Sequence, residues 1–226
     1  MKFRIDGAVM QTVNVELEEG ESVYSESGAM AWMSDNIEMK TEMKGGLMAG
    51  LGRMFSGESL FLTNFTAKGG RGFVVFNSEY PGKIIKLELK EGQEMICEKD
   101  AFLVAQQSVK LSPHFRKKLG AGLFGGEGFI LQKLTGPGVA FVNFSGEITE
   151  IELKAGQKLK VDTGCIAMME PTVKFDIVRV PGASNILFGG EGLFLATVEG
   201  PGKVWLQSMP ISSLAAQIRR FIPTKG

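Results

Sequence analysis

A pattern that occurs three times constrains this chain more than any other feature. Alternating apolar residues, a Glu-Leu pair and a closing Gly followed by Glu or Gln span residues 13–21, 85–93 and 149–157. Alternation with a period of two is typical of a β-strand with one buried face, and the glycine indicates a turn at its end. The chain is therefore expected to consist of repeated strand–turn units.

Two further landmarks follow each copy in the same order. A Glu before a run of apolar residues lies in 56–62, 125–131 and 189–195, and a strand-like segment spans 72–77, 138–143 and 202–207. In the last two copies a Gly-Pro-Gly sequence precedes this segment and indicates a hairpin turn. Three landmarks in register predict antiparallel repeats at about 1–84, 85–148 and 149–210.

The repeats are expected to pack together, because one unit of this size has exposed sheet edges and a small core. We predict an all-β chain in which three β-sandwich-like repeats pack with pseudo-threefold symmetry into one compact body, residues 1–226. Residues 211–222 have apolar positions at helical spacing, with Ser212 as the expected N-cap. They predict a short C-terminal helix packed on that body. The alternative is a surface helix for a membrane or a partner, which the small polar face does not favour.

Composition excludes several classes of protein. Lys and Arg number 25, Asp and Glu also number 25, and hydrophobic residues make up 44% of the chain. These values exclude an intrinsically disordered chain, and the lack of excess positive charge argues against nucleic-acid binding. One histidine, His114, and two cysteines, Cys97 and Cys165, are too few for a typical zinc or copper site.

Targeting and cofactor motifs are weak in this sequence. The N-terminal residues resemble no signal peptide and no segment reaches the ~20 apolar residues that span a bilayer, so the expected location is cytoplasmic. Residues 120–125 satisfy GxGxxG but lack the strand–helix context of a dinucleotide site. We expect no cofactor and identify no catalytic residue.

The combination of motifs resembles one known family. The residues that carry the resemblance are Gly45-Gly46, Arg53, 56–61, Tyr80-Pro81-Gly82, 125–128, Gly200-Pro201-Gly202 and Leu206-Gln207-Ser208. Together they are similar to the altered-inheritance-of-mitochondria protein twenty-four family, which also has bacterial and archaeal members. The resemblance implies three repeats, each similar to a subunit of the trp RNA-binding attenuation protein. Mitochondrial members are associated with inner-membrane architecture, and the family supplies no catalytic residues to carry over.

Three glutamates occupy equivalent positions in the repeats: Glu58, Glu127 and Glu191. Around a threefold axis they would form a set of axial carboxylates that could bind a cation or hold one carboxyl protonated. The alternative is that each Glu accepts hydrogen bonds from backbone N–H groups in its own turn or faces water.

Apolar, glycine-rich segments lie beside these glutamates and are candidate interaction loops. Their side chains are Leu47, Met48, Leu51, Arg53, Met54, Phe55, Leu123, Phe124, Leu187 and Phe188. If exposed, they would form one apolar patch for a partner, a membrane surface or a second copy. The alternative is that the loops cover the core as tight turns.

A basic cluster is the remaining candidate site, and it consists of Lys110, His114, Arg116, Lys117 and Lys118. It could bind an anion such as phosphate in RNA or lipid, or it could be a solvated segment.

These features favour a noncatalytic binding or scaffold protein that self-associates and contacts a protein partner or a membrane surface. The alternative is a small-molecule or ion-binding module, or an enzyme, with its site near the pseudo-threefold axis. RNA binding is a third possibility that rests on fold analogy alone.

Overall fold

The computed structural model describes residues 1–43, 61–117, 129–179, 194–219 and 221–222. The first strands are β1 (Lys2–Asp6), β2 (Thr12–Leu17), β3 (Ser22–Glu26), β4 (Met30–Met33), β5 (Ile37–Met43), β6 (Phe61–Ala67) and β7 (Gly72–Asn77). The next are β8 (Gly82–Leu89), β9 (Glu94–Glu98), β10 (Phe102–Gln106), β11 (Lys110–Lys117), β12 (Phe129–Thr135) and β13 (Gly138–Ser145). The last are β14 (Ile148–Leu153), β15 (Lys158–Asp162), β16 (Ile166–Met169), β17 (Lys174–Arg179), β18 (Phe194–Glu199) and β19 (Gly202–Gln207), followed by helix α1 (Ile211–Arg219).

The strand order repeats three times after β1. Strands β2–β7, β8–β13 and β14–β19 each form a set of six, which we label a to f in chain order. In every set, a, f and c are neighbours in the order a-f-c, and b, e and d are neighbours in the order b-e-d. The prediction of an all-β chain with three repeats and a short helix after them is confirmed. Their arrangement around a common axis stays a prediction.

Sheets join strands of successive repeats. The four-stranded sheet has the order β1-β2-β7-β4, the first six-stranded sheet β5-β6-β3-β10-β13-β8, the second β11-β12-β9-β16-β19-β14, and the three-stranded sheet β15-β18-β17. Within each six-stranded sheet, strand b of one repeat pairs with strand c of the next, as β3–β10 and β9–β16. Each six-stranded sheet is therefore built from two repeats.

The chain divides into two compact units. Unit 1 comprises Met1–Gln93, Asp100–Leu111 and Leu134–Phe144, and unit 2 comprises Glu94–Lys99, Ser112–Lys133 and Ser145–Gly226. Their boundaries do not follow the repeats, because the second repeat supplies strands a, c and f to one unit and strand b to the other.

Each unit has its own apolar core between two sheets. In unit 1, Val13, Val15, Val74 and Phe76 of the four-stranded sheet belong to the same buried cluster as Phe65 of the six-stranded sheet. In unit 2 the cluster includes Leu131, Leu153, Ile166, Val198 and Val204. The alternation predicted for strand a holds in β2, where Val13, Val15 and Leu17 are buried.

The turn that closes the repeated sequence pattern explains its last two residues. Gly20, Gly92 and Gly156 have φ of 79°, 69° and 76°, a region that favours glycine. The next side chain accepts a hydrogen bond from the backbone N–H three residues before it: Glu18 N to Glu21 Oε2 (2.9 Å), Lys90 N to Gln93 Oε1 (3.0 Å) and Lys154 N to Gln157 Oε1 (3.1 Å). Glu and Gln both supply this acceptor, so the pattern allows either.

An irregularity in strand c also occurs in all three repeats. The register of strand c against strand f shifts between Met30 and Trp32, between Phe102 and Val104, and between Ile166 and Met168. A bulge bends the strand and redirects its side chains. Its recurrence at one position shows that the repeats share detailed geometry as well as strand order.

The expectation that Gly-Pro-Gly forms a hairpin turn is wrong. This sequence joins β12 to β13 and β18 to β19, but the two strands of each pair belong to different sheets. The turn therefore carries the chain from one sheet to another. A Cβ on Gly136 would lie 2.3 Å from Lys90 O, and one on Gly200 would lie 2.5 Å from Lys154 O, so the turn passes close against the end of strand a.

The C-terminal helix also differs from expectation. It begins at Ile211, and the N–H groups of Ser213 and Leu214 donate to Pro210 O, so Ser212 lies inside the first turn and is not the N-cap. The predicted burial of its apolar residues is wrong as well, because Ile211 and Ile218 are exposed.

The close approach at Gly136 gives a stability test in unit 1. We expect Gly136→Ala to lower the free energy of unfolding by about 1–3 kcal/mol more than Gly92→Ala does, because the added methyl meets backbone atoms. Gly92→Ala is the matched control: a Cβ there meets nothing within 4 Å, and its cost is the positive φ alone. Chemical denaturation of both variants checks this, and equal losses would contradict the steric account.

Candidate functional site

The predicted axial carboxylates and interaction loops fall outside the described residues. This applies to Glu58, Glu127 and Glu191 and to all ten loop side chains named above. The strands that flank them are described, and they place the three segments at one topological position. Residues 44–60, 118–128 and 180–193 each connect strand d to strand e, and d and e are neighbours in every repeat. The three segments therefore connect equivalent pairs of neighbouring strands.

Four residues of the basic cluster lie on β11 and Lys118 follows it in sequence; Lys118 and the Arg116 side chain are not described. Lys110 and His114 are exposed, whereas the Lys117 Nζ ammonium donates to Asp176 Oδ1 (3.0 Å) and Ile177 O (2.6 Å). Although its side chain is exposed, desolvation by neighbouring protein atoms lowers the pKa of His114, and the Lys133 ammonium lowers it further against a smaller opposing effect of Glu94, so the imidazole is neutral at pH 7. One cation of the cluster is thus paired and another group is uncharged, which weakens it as an anion site.

A buried amide in unit 1 supports the connection from β9 to β10. Asn143 is 4% exposed, and its Nδ2 donates to Ala101 O (3.1 Å) and, at 3.4 Å, to Asp100 O. The Ser78 hydroxyl shares its proton between Tyr80 O (2.7 Å) and Asn143 Oδ1 (3.2 Å). One side chain therefore holds both the turn before β10 and the segment that leads into β8.

Gln207 occupies the equivalent position in unit 2 and makes the same kind of contacts. Its Oε1 accepts from Ser145 N (3.0 Å) and Ser145 Oγ (3.1 Å), and its Nε2 donates to Gly164 O (2.9 Å) and Glu98 Oε1 (2.8 Å). All hydrogen-bonding groups of this buried amide are satisfied. We call Asn143 and Gln207 the clamp residues. The sequence places both in the same landmark segment without revealing their role.

Sequence reasoning missed a set of three carboxylates at the end of strand b. Glu26, Glu98 and Asp162 are the last residues of β3, β9 and β15. Glu98 accepts from the Gln207 clamp, and Asp162 Oδ1 accepts from Gly164 N (2.8 Å). Burial raises the pKa of the Cys165 thiol, and the Asp162 and Glu98 carboxylates raise it further, so this thiol stays protonated and is a poor nucleophile. An acidic residue at the end of each copy of strand b is the sequence signal that could have identified the set.

Glu26 lines a pocket in unit 1 that has a volume of about 120 Å³. Its wall carries three carboxylates, an amide and a tyrosine, and its apolar part includes an aromatic ring; the lining residues are Glu26, Ser27, Ala29, Glu79, Tyr80, Asp100, Phe102, Leu103 and Asn143. The described residues contain no group of three or more His, Cys, Asp or Glu side chains arranged to hold a metal ion.

The side chains of the two clamp residues differ in length, and the shorter one, Asn143, lines the pocket. Gln207 reaches the Glu98 carboxylate, whereas Asn143 is one methylene shorter and donates to backbone carbonyls. Glu26 is the equivalent of Glu98, and it lines the pocket together with Asn143. The shorter amide therefore leaves space beside a carboxylate in unit 1.

Comparisons with known proteins agree with this architecture. Residues 3–209 match the model of the family described as Mitochondrial biogenesis AIM24. An uncharacterised protein of Streptococcus pyogenes serotype M6 is 31% identical over 235 residues, which cover 100% of this chain and 93% of that protein. The crystal structure of a Streptococcus pyogenes protein is similar with a TM-score of 0.80 and 28% identity, and the match covers 98% of this chain and 99% of that chain.

Proposed function

The chain belongs to the Mitochondrial biogenesis AIM24 family, and from that premise we propose that it is a noncatalytic scaffold that self-associates through its d–e loops. Contact with a protein partner or a membrane surface is also part of the proposal. A cytoplasmic location is part of the proposal. The observation that carries it is the placement of three apolar, glycine-rich segments between three equivalent pairs of neighbouring strands.

Repetition is what makes these loops suitable for assembly. A single apolar loop has little area, whereas three copies at equivalent strand pairs multiply the surface available to a partner. The first loop contains Leu47, Met48, Leu51, Met54 and Phe55, and methionine adapts to varied contact surfaces. Described residues contain no helix long and apolar enough to cross a bilayer.

Charged substitutions in the first loop test self-association. We expect Leu47→Asp, Met48→Asp and Leu51→Asp together to reduce the oligomer mass measured by light scattering after gel filtration, because burying three carboxylates in an apolar contact is costly. The control is Val9→Asp with Met10→Asp, which adds the same kind of charge at exposed apolar residues outside the loops. An unchanged oligomer mass in the triple variant would contradict self-association through the loops.

A second candidate function is supported by the pocket in unit 1. A lining that contains the acidic residues Glu26, Glu79 and Asp100 together with the aromatic Phe102 suits a small organic cation that carries an ammonium group. A volume of about 120 Å³ holds a ligand of only a few heavy atoms. The chain would then act as a small-molecule binding module, with the site in the pocket rather than on the pseudo-threefold axis.

Ethanolamine, an ammonium ion at neutral pH, is a suitable probe of this pocket. We expect calorimetry or NMR titration to show binding that weakens at least about fivefold in Glu26→Gln with Glu79→Gln, since each removes a charge facing the cation. Glu91→Gln is the control, because that exposed carboxylate lies in a turn and does not line the pocket. Absence of binding, or equal binding by all three proteins, would contradict this function.

A further inference from the structure

The C-terminal helix presents an apolar stripe to solvent. At 3.6 residues per turn, Ile211, Leu214 and Ile218 fall within an arc of about 60° on α1. Hydrogen bonds from Phe221 N to Ile218 O (2.9 Å) and from Ile222 N to Arg219 O (3.3 Å) add a further turn. Ile211, Ile218, Phe221 and Ile222 are 41%, 51%, 85% and 59% exposed. Large apolar side chains exposed together mark a contact surface.

The start of the helix is fixed to unit 2. Pro210 is buried, and its Cβ would lie 2.9 Å from a Cβ placed on Gly164, in the turn between β15 and β16. Pro210 O also accepts hydrogen bonds from the first turn of α1. The stripe is therefore held at one end by the folded unit, so binding to it does not require the helix to be ordered from a free tail.

The charged residues of α1 and of the segment after it are all basic. From Ile211 to the last residue of the sequence, the charged residues are Arg219, Arg220 and Lys225, and none is acidic. Arg219 is exposed and lies on the opposite side of α1 from Leu214, next to Ser212 on the polar face. An apolar stripe with a basic side chain on the polar side is the arrangement of helices that lie in the surface of an anionic bilayer.

We propose that α1 and residues 221–222 form a docking surface for anionic phospholipid bilayers, with the apolar stripe inserted between headgroups and Arg219 facing lipid phosphates. This goes beyond the proposed scaffold function, because it places the membrane contact on the helix and leaves self-association to the loops. A second copy of α1 is a poorer occupant of the stripe, since α1 carries Arg219 and no acidic side chain of its own that could pair with it.

Vesicle flotation of the full chain tests this surface. Vesicles of phosphatidylcholine alone are compared with vesicles that also contain phosphatidylglycerol. The wild-type chain is expected to bind the anionic vesicles, to bind them less at high salt and to leave the neutral vesicles largely unbound. Ile218→Asp with Phe221→Asp should weaken binding at least tenfold, because two apolar side chains no longer enter the bilayer.

A second variant separates the electrostatic contribution of the arginines from the insertion of the apolar side chains. Arg219→Gln with Arg220→Gln keeps the stripe and should weaken binding to anionic vesicles about fivefold for each arginine removed. Val9→Asp with Met10→Asp is the matched control and should bind as the wild-type chain does. Substitutions at exposed positions should leave the fold intact, which circular dichroism checks.

The outcomes distinguish the helix from the loops. Two results together support self-association through the loops and lipid binding through the helix. The loop variant should lose oligomer mass but bind vesicles normally, and the helix variant should lose vesicle binding but keep its oligomer mass. The lipid proposal is overturned if the wild-type chain fails to bind anionic vesicles, if it binds neutral vesicles equally well, or if both helix variants bind like wild type. Loss of mass in the helix variant without any vesicle binding by the wild-type chain would assign the stripe to a second copy.

Discussion

Pairing of strand b in one repeat with strand c of the next is the contact on which the rest of the structure depends. It occurs as β3–β10, where Ala105 faces Tyr24, and as β9–β16, where Met168 faces Cys97. Each pairing joins a three-stranded half-sheet from one repeat to a half-sheet from its successor. The edges that a lone repeat would expose become the centre of a six-stranded sheet. Folding of one repeat is thus coupled to folding of the next.

The clamp residues secure the turns that join strand b to strand c within the second and third repeats. Leaving a buried amide unsatisfied costs roughly 1–3 kcal/mol, so Asn143 and Gln207 stabilise the turns only because their partners are in place. Gln207 uses its extra methylene to reach Glu98, and Asn143 lacks that reach. Asn143, which supports a turn within the second repeat, therefore also lines the pocket beside Glu26. The Asn143 side chain thus both supports the fold and lines the candidate binding pocket.

Sequence periodicity predicted the strands, the glycine turns and the number of repeats, because each depends on residues close together in the chain. It could not predict the cross-repeat sheets, since alternation shows which face of a strand is buried and not which strand is its neighbour. For the same reason the Gly-Pro-Gly turn was assigned to a hairpin although its strands lie in different sheets. Glu26 and Asn143, which are far apart in sequence, line one pocket, and this requires the sheet order. The amphipathic pattern predicted α1 but not whether its stripe is covered.

Native-state hydrogen exchange measures the coupling between repeats most directly. The exchange rates of amides in the cross-repeat ladders β3–β10 and β9–β16 are measured at increasing sub-denaturing concentrations of denaturant. The same is done for the ladders β2–β7 and β14–β19, which pair strands within one repeat. The account predicts that, in each unit, amides of the cross-repeat ladder exchange only in the same large opening as those of the within-repeat ladder. Exchange of the cross-repeat amides through a small local opening, while the within-repeat amides stay protected, would contradict it.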